Sequence, residues 1–184
     1  MKKIFAIDPG NTESAYVLMR EDYSPMLTPG GNSSGKLDND FMLNMLKSTC
    51  TLYSSALVDS SLTVVIEMVA SYGMAVGKEV FDTCVWIGRF AQAAMERGAK
   101  VDYVYRMDEK MALCHDSRAK DANIRQALID RFARFDRKNG KGTKKNPDVF
   151  YGFSRDIWSA FAVGTTWLDK QNLERTEENG QADH

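Results

Sequence analysis

The chain has 184 residues, 43% of them hydrophobic and 27% charged, with a formal net charge of −1. Such a profile fits one globular domain with a real core and excludes two large domains; no apolar run approaches the roughly 20 residues needed to cross a membrane. Three cysteines, Cys50, Cys84 and Cys114, are odd in number and form no Cys-x-x-Cys pair, which argues against both a disulfide framework and a zinc site.

In chain order, Ile4-Phe5-Ala6-Ile7 and Ala15-Tyr16-Val17-Leu18-Met19 read as paired strands around an Asp8-Pro9-Gly10 turn. The first apolar stretch breaks at Asp8, too early for a signal peptide, so a cytoplasmic location is expected, the host's if the chain is viral. Residues 23–36, rich in Gly, Pro and Ser, read as loop with a short third strand near Met26-Leu27. Residues 37–53 carry Leu37, Phe41, Met42, Met45, Leu46, Thr49 and Leu52 at a helical period.

Thr63-Val64-Val65-Ile66 reads as a buried strand ending on Glu67, followed by a glycine-bounded loop from Ser71 to Gly77. A helix is expected over 79–97 with Gly98 as its stop, then a strand over 101–105 and a short helix over 107–115. Asp121 can cap a helix running to about Phe135, residues 140–147 form a basic loop, and Ser154 can cap a last helix reaching Leu168. From Gln171 onward there is no periodicity. The expectation is one domain over 1–170 and a disordered acidic tail over 171–184. Strands alternating with helices give an α/β fold: a mixed five-stranded sheet flanked by helices.

Two strands end in a carboxylate, Asp8 and Glu67, and Asp156 stands in the first turn of the last helix. Functional groups collect at strand ends in α/β sheets. Three convergent carboxylates would repel one another unless cations lay between them, and hard oxygen ligands select Mg²⁺ or Mn²⁺. Each residue also has a plainer use: Asp8 as a turn cap, Glu67 as a solvent-facing residue, Asp156 as a helix cap. Charge is uneven too. Residues 131–145 hold seven basic residues against one acid, Asp136; the run suits a face that grips a polyanion, or simply a solvated helix end.

Taken together, Ile7-Asp8-Pro9-Gly10-Asn11-Thr12, Val65-Ile66-Glu67 with its following loop, and Asp156-Ile157-Trp158-Ser159-Ala160-Phe161-Ala162-Val163-Gly164 resemble the three catalytic blocks of RuvC-type Holliday junction resolvases. Arg118-Ala119-Lys120-Asp121-Ala122-Asn123-Ile124-Arg125 resembles the family's basic entry into the helix before the last block. The wording around Glu67-Met68-Val69-Ala70 is most similar to bacteriophage variants. The resemblance implies an RNase H-like fold, a homodimer, and metal-dependent nicking of four-way DNA junctions with two Mg²⁺ ions, for which Mn²⁺ can substitute. Asp8, Glu67 and Asp156 then match metal-binding carboxylates.

There are two departures from the family pattern. A fourth carboxylate is implied one helical turn after Asp156, where this chain has Ser159, whose hydroxyl adds no charge; Asp148 is a candidate substitute. An aromatic is implied at Ala70, and Tyr72 or Met74 is a candidate to take over stacking at the junction. Lys78, Arg118, Lys120, Arg125, Lys141, Lys144 and Lys145 would contact DNA phosphates. In the family the helix over 79–97, with Gly88, Ala91, Ala93 and Ala94 beside Val85, Trp86 and Phe90, lies at the dimer interface. Three other readings remain: a nuclease of RNA–DNA hybrids, a non-catalytic junction-binding module, and an ATP-binding protein of the actin and sugar-kinase type, for which 184 residues leave too little room.

Overall fold

The computed structural model describes residues 1–53, 62–71, 73 and 75–181. Its strands are β1 (Lys3–Asp8), β2 (Glu13–Arg20), β3 (Ser34–Asp38), β4 (Leu62–Met68) and β5 (Lys100–Tyr105), joined in one sheet of order β3-β2-β1-β4-β5. Its helices are α1 (Asn39–Tyr53), α2 (Lys78–Met95), α3 (Arg106–Cys114), α4 (Asp121–Phe132) and α5 (Arg155–Gln181). β1 pairs antiparallel with β2 and β2 with β3, whereas β4 lies parallel to both β1 and β5. The α/β class and the mixed five-stranded sheet stand as expected.

Alternation along the strands divides the core in two. Ile4, Ala6, Val17, Met19 and Val65 face one side and pack under Ile124 and Leu128 of α4 and Ile157, Phe161 and Leu168 of α5. Phe5, Ile7, Leu18, Val64 and Ile66 face the other, against Met42 and Leu46 of α1 and Ile87, Phe90 and Ala94 of α2. β1 is central and covered on both faces, so Ile4 through Ile7 are fully buried and read as an unbroken apolar run. Among the described residues no helix is long and apolar enough to cross a membrane.

Several boundaries differ from expectation. The third strand lies at Ser34–Asp38, not near Met26, where only an isolated bridge joins Met19 to Pro25. Leu37 therefore belongs to this strand, and α1 begins at Asn39. β3 is a short polar edge strand whose ladder comes from the free edge of β2 rather than from its own propensity. Asp121 is the first residue of α4 rather than its cap; the residue ahead of the helix is Lys120. The last helix runs past Leu168 to Gln181, so residues 171–181 are helical where a disordered tail was expected. There Thr176 donates back to the Asn172 carbonyl and Gln171 to the Glu174 carboxylate, local support that apolar periodicity does not register.

Candidate active site

The sheet register brings the acidic groups together. Asp8 pairs with Ala15, and Ala15 with Lys36. Ile7 pairs with Ile66 on the parallel neighbour, which sets Asp8 and Glu67 side by side one residue further on; Glu67 in turn pairs with Val104. One row thus crosses the sheet: Lys36, Ala15, Asp8, Glu67, Val104. Residues in such a row project from the same face, and Ala15 and Val104 belong to the core beneath α4 and α5. Asp8, Glu67 and Lys36 therefore open toward the face that carries Asp156.

The turn after Asp8 is held by a buried polar clamp. The Gly10 N–H donates to Ser14 Oγ at 3.2 Å, the Ser14 hydroxyl donates to Asn39 Oδ1 at 2.6 Å, and Asn39 Nδ2 donates to the Gly10 carbonyl at 2.9 Å. A Cβ on Gly10 would lie 2.3 Å from the Glu13 carbonyl oxygen, so only glycine fits there. α5 is seated equally closely. A Cβ on Gly164 would approach Ala6 Cβ to 3.0 Å and Met19 Cε to 2.8 Å, which fixes the height of α5, and hence of Asp156, over β1 and β2.

Electrostatics record the crowding. Burial, the Glu67 charge, a hydrogen bond to Glu67 and the Asp156 charge push the Asp8 carboxyl up to about 8. Burial also raises Glu67, against the Arg106 guanidinium and the hydrogen bond it accepts from Asp8. The pair shares a proton where two carboxylates would otherwise repel. Asp156 does not close on them. Its Oδ2 is 3.0 Å from Lys36 Nζ, which also reaches Glu13 at 2.9 Å. Among the described residues no three acidic, thiol or imidazole groups meet as ligands of one ion. The chemistry of the donor set nevertheless suits hard divalent cations, since its groups offer only carboxylate oxygens.

Two further groups escaped the sequence reading. Arg106, the first residue of α3, donates to Glu109 and to Asp121, and it borders the cleft that holds Asp8 and Glu67. Glu109 is fully buried and its Oε1 has no hydrogen-bond partner. Burial, then the charge of Glu67, raises the Glu109 carboxyl to about 9. Nothing in their local sequence marks them, because an Arg and a Glu at helical spacing look like an exposed ion pair.

The expected DNA contacts divide into groups. Arg125 and Lys141 meet Arg106, Lys138, Arg155, Trp158 and Ser159 around a cleft of about 580 Å³, with the Arg125 guanidinium 5.0 Å from the Trp158 ring centre. Arg118 and Lys120 line a second hollow with Lys110 and Arg106. Lys78 is an exposed residue paired with Asp82, and Lys144 and Lys145 are exposed on the loop closed by the Gly142–Pro147 bridge. Tyr72 and Met74 lie outside the described residues. Asp148 is not a substitute fourth carboxylate. It is buried in the basic loop and accepts the N–H groups of Arg134, Phe135, Asp136 and Val149. Burial opposes its charge, yet those donors hold its carboxyl well below the ordinary range.

A mixed sheet of this order, helices on both faces and acidic groups at the ends of the central strands define an RNase H-like α/β fold. Solved structures narrow it to a RuvC-like one. The RuvC structure of Thermus thermophilus superposes with a TM-score of 0.58 at 14% identity, covering 94% of this chain and 96% of that one. T. thermophilus RuvC in complex with Holliday junction substrate superposes with a TM-score of 0.61 at 13% identity and the same coverage. At such identity the likeness is one of fold. No protein-family model matches the chain, and no curated protein matches it.

Proposed function

We propose that this protein is a divalent-cation-dependent endonuclease that nicks branched DNA, four-way junctions foremost. The observation that carries the reading is the row placing Asp8 and Glu67 side by side on the face that also presents Asp156. Asp8, Glu67 and Asp156 would hold Mg²⁺ or Mn²⁺, which when bound activate a water and stabilise the leaving oxygen of a phosphodiester. The chain's own residues do the rest. Arg106 borders the cleft of Asp8 and Glu67 and also lines, with Arg125, Lys138, Lys141 and Arg155, a separate basic cleft where a DNA strand's phosphates would be seated. The Ser14–Asn39 clamp and Gly164 keep Asp8 and Asp156 on rigid elements, as positioning for phosphoryl transfer demands.

The reading includes a homodimer. α2 buries Ile87, Phe90, Ala91, Ala93 and Ala94 against the sheet and exposes Phe81, Val85 and Met95, an apolar face for a second copy. The small residues Ala91, Ala93 and Ala94 pack inward on the sheet, which leaves the opposite face of the helix free to serve as the interface. A second functional reading, a junction-binding module without cleavage, is favoured by Lys36 occupying Asp156 and by Ser159. Incubating the protein with four-way junctions, forks, flaps and an RNA–DNA hybrid, in Mg²⁺ and in Mn²⁺, separates the possibilities. Preferential nicking of junctions is expected. Binding without nicking selects the module, and cleavage of the hybrid alone selects the other nuclease class.

A further inference from the structure

The cleft between α4, the basic loop and the start of α5 holds more than phosphates require. Phosphates ask only for a charged surface, and the rim supplies it. Arg106, Arg125, Lys138, Lys141 and Arg155 stand there against one acid, Asp121, which Arg106 and Arg155 already hold. The cleft is also roomy: its 580 Å³ or so falls within the ~300–1,000 Å³ of small-molecule sites. Its interior is apolar, with Ile124, Leu128 and Ile129 of α4 meeting Phe153 and Trp158. Trp158 is fixed by the Phe150 and Phe153 rings, whose centres lie 4.2 and 5.5 Å away. Arg125 lies over the indole at 5.0 Å, and its guanidinium offers a plane on which a base can stack. Asn139 and Ser159 add an amide and a hydroxyl to the wall, able to meet the edge of a base. A positive rim around an apolar, aromatic interior is the chemistry of a whole nucleotide, phosphate outside and base within.

Resting on the reading of this protein as a nuclease of branched DNA, we propose that the cleft receives one base turned out of the bound strand beside the bond that is cut. Its position relative to the carboxylates supports this. Arg106 borders both this cleft and that of Asp8 and Glu67, and Ser159 stands one helical turn after Asp156. A strand whose phosphates follow the basic rim thus passes from one cleft to the other through Arg106. Turning a base out costs least where it is already unpaired, as beside a branch point, so the cleft favours branched over continuous duplex DNA. Arg125 stacks on the base and the rim lysines hold its phosphates.

The test places 2-aminopurine, whose fluorescence rises when it leaves the base stack, at successive positions beside the branch point of a four-way junction. Asp8→Asn protein in Mg²⁺ keeps the strands whole, and junction binding is measured in the same titration. A rise at one position is expected at saturation. Ala122→Leu, added to Asp8→Asn, narrows the cleft from an exposed site at the start of α4 without removing a charge, and should lose that rise while still binding the junction. Lys144→Gln in the same background, on the exposed basic loop, should keep the rise at saturation. Binding without a rise at any position overturns the proposal and leaves the nuclease reading standing. A rise that survives Ala122→Leu also overturns it, because the base is then unstacked elsewhere. Failure to bind the junction at all overturns both.

Discussion

Asp8 ends the central strand, and its carboxyl, pushed up to about 8, gives the site a measurable pH signature. The folded protein keeps a proton there that the unfolded chain releases near the ordinary aspartate value of about 4. Between those two values the folded state binds the extra proton, so stability falls as pH rises through the window, with the loss complete above about 8. Glu67 and Glu109, both raised, act in the same direction. Melting without divalent ions should therefore drop in temperature from about pH 5 to about pH 8, and Asp8→Asn should flatten the slope; a flat wild-type profile would refute the burial argument. Added Mg²⁺ should also flatten it by replacing the shared proton. Lys36 shows why part of this was not legible. It sits in a Gly- and Ser-rich stretch that reads as loop, and only the pairing of β3 with β2 delivers it to Asp156.

At the scale of elements, α5 and the basic loop carry the most testable packing. Gly164 lets α5 approach Ala6 and Met19 at van der Waals contact. Gly164→Val should cost about 1–3 kcal/mol by overpacking, read as a lower denaturation midpoint, and should displace Asp156 enough to slow cleavage. The basic loop hangs from two aspartates: Asp148 gathers four backbone N–H groups, and Asp136 receives those of Asn139, Lys141 and Gly142. An aromatic cluster anchors the loop's end to α5, with the Phe150 and Trp158 rings 4.2 Å apart. Asp148→Ala leaves buried donors unmatched and should lower stability by about 1–3 kcal/mol in urea unfolding; a neutral result would contradict a structural role for that carboxylate. The sequence marked this loop as basic but could not distinguish a ligand Asp from a scaffold Asp, because both read as an acid in a polar turn. β1, β4 and α5 as far as Leu168 were legible for the opposite reason, as buried apolar strands and a periodic helix announce themselves locally.

For the molecule as a whole, three short sequence blocks pointed to a fold that superposes on RuvC structures over 94% of the chain at 13–14% identity. The places of Asp8 and Glu67 at strand ends and of Asp156 at a helix start were legible because these are local features. Arg106, Glu109 and the Ser14–Asn39 clamp were not, since their meaning comes from tertiary neighbours far away in sequence. The proposed dimer belongs to this scale: Val85→Glu on the exposed face of α2 should shift the mass in light scattering from dimer to monomer, and a wild-type monomer would remove that part of the account. The central claim, that Asp8 and its partners form a hydrolytic centre, is tested most directly by one comparison. Wild type and Asp8→Asn are given the same labelled four-way junction in Mg²⁺, with nicking and binding measured in parallel. The account predicts nicks from wild type, none from Asp8→Asn, and equal binding by both. Nicking that survives Asp8→Asn, or a wild type that binds the junction and never cuts it, would contradict it.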